Sequence, residues 1–62
     1  MYRYIYREGR RLYTETAGSL ALALRFARED KWAGRVPVRI VASDGRELYN
    51  RAELKDFVKG GR

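Results

Sequence analysis

Glu8-Gly9-Arg10-Arg11-Leu12-Tyr13-Thr14 and Asp44-Gly45-Arg46-Glu47-Leu48-Tyr49-Asn50 decide the fold, because the second stretch repeats the first thirty-six positions later with the same Gly, Arg, Leu and Tyr. Arg3 and Arg39 match at the same offset. Glu8-Gly9 and Asp44-Gly45 are two-residue turn signals, since Gly reaches positive φ without steric cost, and strand-like residues flank both. Each therefore marks a β-hairpin, the first joining residues 2–7 to 10–14 and the second joining 36–43 to 46–49. Pro37 falls near a strand start, where its missing N–H does least harm.

A helix follows each hairpin. Asn50 and Glu53 have the spacing of a capping box, and Leu54, Phe57 and Val58 share one helical face ahead of a stop at Gly60-Gly61. In the first unit Thr14 or Thr16 can cap a longer helix through Ser19, Leu20, Leu24 and Ala27, closed at Ala33-Gly34 by a left-handed Gly. The chain thus reads as one α+β domain over residues 1–62 with the order ββα-ββα. Its internal repeat covers 2–33 and 38–60, and its helices pack on one face of a small antiparallel sheet.

With two-residue turns, Ile5 pairs with Leu12, Tyr4 with Tyr13, Val41 with Leu48 and Ile40 with Tyr49. Period-2 alternation then separates two faces. One carries Tyr2, Tyr4, Tyr6 and Tyr13, with Val38, Ile40, Ala42 and Tyr49. The other carries Arg3, Ile5, Arg7, Arg10 and Leu12, with Arg39, Val41, Ser43, Arg46 and Leu48. Because Val38, Ile40 and Ala42 stand where the first unit has Tyr2, Tyr4 and Tyr6, the Tyr face is assigned to the core. The opposite assignment would bury the aliphatic strip and expose the tyrosines as a platform for stacked bases.

At 62 residues the chain supports one core, since a domain of this size buries only about 60% of the surface its unfolded chain exposes. It has no Cys for disulfides and no His, so any metal site would have to be built from carboxylates alone. The first helix spreads Leu20, Leu22, Ala23, Leu24, Phe26 and Ala27 over about 200°, against roughly 100° for an ordinary surface helix. An arc that wide points to the second helix or to another subunit, so a homodimer or other protein partner is expected through Leu20, Leu22, Leu24 and Phe26. Trp32, at the helix end, is expected to pack over an open edge.

Fourteen Lys and Arg against eight Asp and Glu leave a charge of +6, and eleven of the fourteen are Arg. Such a surplus attracts polyanions, nucleic acid above all. Catalysis finds no footing, because Ser19, Ser43, Thr14 and Thr16 have neither His nor Cys to activate or replace them. The carboxylates Glu53 and Asp56 read as a cap and a solvated side chain. No enzyme activity, cofactor, metal or small-molecule substrate is expected. The apolar run 20–24 is too short to span a bilayer and no secretory signal is visible, so a cytoplasmic protein without membrane contact is expected.

The function that follows is a small non-enzymatic binding protein that contacts nucleic-acid backbone through Arg3, Arg7, Arg10, Arg39 and Arg46. The alternative is a protein-interaction or assembly module, homodimeric or in a hetero-complex, with no nucleic-acid ligand.

Overall fold

The computed structural model describes residues 1–60; the second Gly of the expected Gly60-Gly61 stop lies outside them. Strands β1 (Tyr2–Glu8) and β2 (Arg11–Ala17) form the first hairpin, followed by helix α1 (Leu20–Trp32). Strands β3 (Val36–Ala42) and β4 (Glu47–Tyr49) form the second, followed by helix α2 (Arg51–Gly60). All four strands make one antiparallel sheet in the order β2-β1-β3-β4. The order ββα-ββα expected from the repeat is present.

The central strands β1 and β3 pair with Tyr4 opposite Ile40, two residues related by the repeat offset itself. Arg3 opposite Val41 and Ile5 opposite Arg39 are likewise the same pair taken twice. An approximate two-fold axis normal to the sheet therefore passes between Tyr4 and Ile40 and exchanges the two units. Beyond Ile5 the symmetry breaks, because the register shifts and Tyr6 faces Pro37, leaving Val38 as the extra residue of a bulge. Pro37 sits at this irregularity, where a strand tolerates a residue without an N–H.

Both turns differ in detail from the two-residue turns expected at Glu8-Gly9 and Asp44-Gly45. In the first hairpin Glu8 pairs with Arg11, so the turn residues are Gly9 and Arg10. Gly9 has φ +63° and Arg10 does not have positive φ, the arrangement in which Gly fills the first turn position. Ile5 consequently pairs with Thr14 and Tyr6 with Tyr13, two residues from the expected register. A shift of two preserves the faces. In the second hairpin Gly45 N–H donates to the Ala42 carbonyl at 2.9 Å and Ala42 N–H to the Arg46 carbonyl at 2.8 Å. Gly45, at φ +89°, ends a three-residue loop. Ile40 faces Tyr49 as expected, but Val41 faces Glu47, so Leu48 is a bulged residue and packs against the core rather than lining the Val41 face.

Helix α1 starts two residues after β2. Ser19, not Thr14 or Thr16, is its N-cap, with Oγ accepting from Leu22 N–H at 3.1 Å, because β2 runs on through both threonines to Ala17. Gly34, at φ +85°, follows the helix end as expected. In α2 the capping box is complete: Asn50 N–H donates to Glu53 Oε1 at 2.9 Å and Glu53 N–H to Asn50 Oδ1 at 2.8 Å.

The core comprises Tyr4, Ala17, Ala23, Ala27, Ile40 and Leu54, with Tyr2, Tyr6, Leu20, Leu24, Phe26, Leu48, Tyr49 and Val58 packed around it. The tyrosine face is thus the face beneath the helices. Small Ala23 and Ala27 let α1 approach the sheet closely enough to enclose the Tyr4 ring, which contacts Phe26 at 6.1 Å and Tyr6 at 5.7 Å between centroids. Trp32 does not pack over an edge; it is 89% exposed.

Candidate nucleic-acid interface

With both helices on one face, the other face of the sheet is left uncovered. Alternation places Arg3, Ile5 and Arg7 there from β1, Leu12, Thr14 and Thr16 from β2, and Arg39 and Val41 from β3. A shallow depression of about 440 Å³ at its centre has Ile5 and Val41 as its floor, with Arg3, Arg39, Thr14 and Glu47 around them. Arg3 and Arg39 are exposed and diagonal to each other across the approximate two-fold axis, so their Cβ atoms lie about 7–8 Å apart or slightly less. Among the described residues neither is ion-paired. Among the described residues Glu47 is the one carboxylate lining the depression.

The five arginines anticipated from sequence are not all together. Arg3 and Arg39 share the depression, and Arg7 stands two positions further along the same face, half-buried between Leu12 and Val36 of the neighbouring strands. Arg10 occupies the turn at the Arg7 end of that face. Arg46 follows the three-residue loop and precedes β4, opposite Ala42 of the helix-side register, with its N–H held by Asp44 Oδ1 at 2.9 Å. Thr14 and Thr16 were not anticipated as face residues; continued alternation past Tyr13 is the signal that carries them. Of the expected interface residues, Leu20, Leu24 and Phe26 pack against the chain's own core, while Leu22 is exposed.

A second polar cluster closes the helix side of the sheet. Asp30 is buried on the inner stripe of α1 that also carries Ala23 and Ala27. A carboxylate there requires a partner, because an unpaired buried charge is strongly unfavourable. Asp30 Oδ1 accepts from Arg35 Nη1 at 3.2 Å, and Arg35 Nε donates to Glu8 Oε1 at 3.4 Å. The same guanidinium lies 5.9 Å from the Tyr6 ring centre, and Tyr6 stacks on Tyr13 at 5.3 Å. Arg35 thus ties the end of α1, the end of β1 and the start of β3 together, and the Asp30 carboxylate raises its pKa further.

Tyr4 Oη and Asp30 Oδ2 are both buried, and neither completes a hydrogen bond of normal geometry. Burial first, and the neighbouring Asp30 second, push Tyr4 ionisation far above the ordinary phenol range; burial also raises Tyr6. A phenol so reluctant to ionise is a poor proton donor, and the Arg35 contacts make the cluster a clasp between α1, β1 and β3. The raised ionisation sets an alkaline limit. Above about pH 10 the unfolded chain releases the Tyr4 proton while the folded chain retains it. Stability is therefore full below about pH 10 and falls as pH rises, by up to about 1.4 kcal/mol per pH unit for one such group. Phenolate absorbance should show Tyr4 ionising only as the circular dichroism of the fold is lost. Ionisation of all five tyrosines in the folded chain near the ordinary range would contradict this.

No protein-family model matches the sequence, and no curated protein and no solved structure is significantly similar to it. Among the described residues no group of three or more His, Cys, Asp and Glu side chains could hold a metal ion, and no helix is long and apolar enough to cross a membrane.

Proposed function

We propose that this protein binds nucleic-acid backbone through the uncovered sheet face. The observation that supports the reading is the pair Arg3 and Arg39, exposed, free of ion pairs among the described residues and centred on a sheet face that no helix covers. Guanidinium groups bind phosphate in a bidentate fork, and the Thr14 and Thr16 hydroxyls beside them supply the neutral contacts common in backbone recognition. The face carries no aromatic ring. Its contacts are therefore to phosphate and sugar rather than to stacked bases, and sequence preference is expected to be weak.

Fluorescence anisotropy with labelled single- and double-stranded oligonucleotides tests this. Each phosphate neutralised contributes about −0.9 to the slope of log affinity against log salt on duplex DNA. Contacts by Arg3, Arg39 and Arg7 then give a slope of about −2 to −3. Absence of binding at millimolar protein in low salt, or an affinity that ignores salt, would overturn the reading.

A specific feature favours self-assembly as a second reading. β2 is a seven-residue edge strand with no Pro and no register shift, so only the charges of Arg11 and Glu15 guard it against further pairing. Since Glu8 and Arg11 flank a two-residue turn and exchange hydrogen bonds, the backbone groups of Leu12, Thr14 and Thr16 face away from β1. A second copy that pairs antiparallel with Tyr13 opposite Tyr13 sets Arg11 against Glu15 twice. Light scattering after gel filtration is expected to show a dimer at high micromolar concentration that Glu15→Arg abolishes; a wild-type monomer there would exclude it.

A further inference from the structure

We infer that the groove between the end of α1, the start of β3 and α2 is a docking site for an acidic segment of a partner protein that carries an aliphatic anchor residue. The inference is independent of the nucleic-acid reading. The groove measures about 600 Å³, and its apolar lining is Val36, Pro37, Ala52 and Val58. Lys31, Arg51, Lys55 and Lys59 line it as well, together with Arg35, and among the described residues no carboxylate does. Arg35 is already engaged by Asp30 and Glu8. The other four cations are exposed and have no ion-pair partner among the described residues.

Part of this charge works against the helix that bears it, although the helix dipole favours Lys59 in the last turn. Arg51, Lys55 and Lys59 follow one another at i, i+4 and i+8 on α2, a spacing at which like charges repel. Arg51 also lies in the first turn, where the helix dipole disfavours a cation. Glu53 does not relieve the row, since its side chain is committed to the Asn50 cap. Lys31 faces the same space from α1, so the charges converge on the groove from two elements. An anionic ligand removes these repulsions when it binds.

The floor decides which anion. Its residues are aliphatic, with no ring on which a base could stack, and a phosphate backbone brings no apolar group to fill it. A peptide with carboxylates flanking one Leu, Ile or Val satisfies both the rim and the floor. The recognition is then electrostatic at the rim, which sets rate and salt dependence, and apolar at the centre, which sets residence.

The test is a titration of a short synthetic peptide with Leu flanked on both sides by Glu. Binding is followed by anisotropy of a labelled peptide and by the emission of Trp32, the only Trp in the chain and a sequence neighbour of Lys31. Saturable binding is expected, weakened about tenfold or more by Lys55→Glu, which reverses a rim charge, and by Ala52→Tyr, which fills the floor. Both positions are exposed, and circular dichroism checks that the variants fold. Replacing Leu by Gly in the peptide should cost a similar factor, while Arg3→Glu with Arg39→Glu should leave peptide binding in place and thereby separate this site from the sheet face. Equal binding of the Gly peptide would reduce the groove to bulk charge. An affinity unchanged by Lys55→Glu would place the peptide elsewhere, and stoichiometric displacement by an oligonucleotide would assign the groove to nucleic acid. Each of these overturns the inference.

Discussion

Tyr4→Ala is expected to abolish cooperative folding. Tyr4 is fully buried at the centre of the sheet, opposite Ile40 and against the rings of Phe26 and Tyr6. Truncating a large buried aromatic costs about 3–5 kcal/mol. A core in a domain this small supplies only about 3–5 kcal/mol in total, so one substitution consumes the margin. The melting curve followed by circular dichroism should lose its sigmoidal transition, and amide resonances should collapse into the unfolded range. Tyr4→Phe is the informative partner variant. Because the hydroxyl makes no well-formed hydrogen bond, its removal should change stability by less than about 1 kcal/mol and leave the transition intact. A Tyr4→Ala protein that melts like the parent would show that the core is not organised around this ring.

Reversing charge at both Arg3 and Arg39 is expected to weaken oligonucleotide binding by at least about a hundredfold at about 50 mM salt, and to lower the salt slope by about two. Both side chains are exposed, and surface substitutions of this kind ordinarily shift stability by no more than about 0.5 kcal/mol. The effect would therefore be on binding and not on folding. Arg46→Glu changes net charge by the same amount per residue but lies just before β4 and outside the depression, and a distinctly smaller loss is expected from it. If Arg46→Glu alone cost as much as either reversal on the open face, the protein would be acting as a diffuse cation rather than through a site.

The sorting of side chains into two faces is legible because alternation is insensitive to a shift of two in the pairing. Taking Gly9 as the second turn residue instead of the first moves every pair by two, and a strand period of two returns each side chain to the same face. The repeat was equally robust, since Gly, Leu, Tyr and the cap at Asn50 each recur for a backbone or packing reason. Residues at the turns themselves had no such protection. Arg10 and Arg46 changed environment because a turn centre and a bulge, neither of which alternation encodes, decide where a strand ends. The end of β2 was hidden for another reason: Thr14-Glu15-Thr16 is polar on both faces of an edge strand and resembles a helix cap. Asp30 was readable in principle as a carboxylate on the Ala23 and Ala27 stripe. Its partner Arg35 was not, because only the chain reversal at Gly34 brings the two together.

The approximate two-fold axis between Tyr4 and Ile40 has a kinetic meaning. Each hairpin is local and can close in about 1–10 μs, but the central pairing of β1 with β3 joins residues thirty-six positions apart and must follow a long loop closure. In effect one chain performs what two identical half-length chains would do by meeting in solution. The few residues from Ala33 to Arg35 hold the second unit beside the first at an effective concentration in the millimolar range. Severing that linker would make assembly of the core depend on dilution, a dependence that the covalent connection removes.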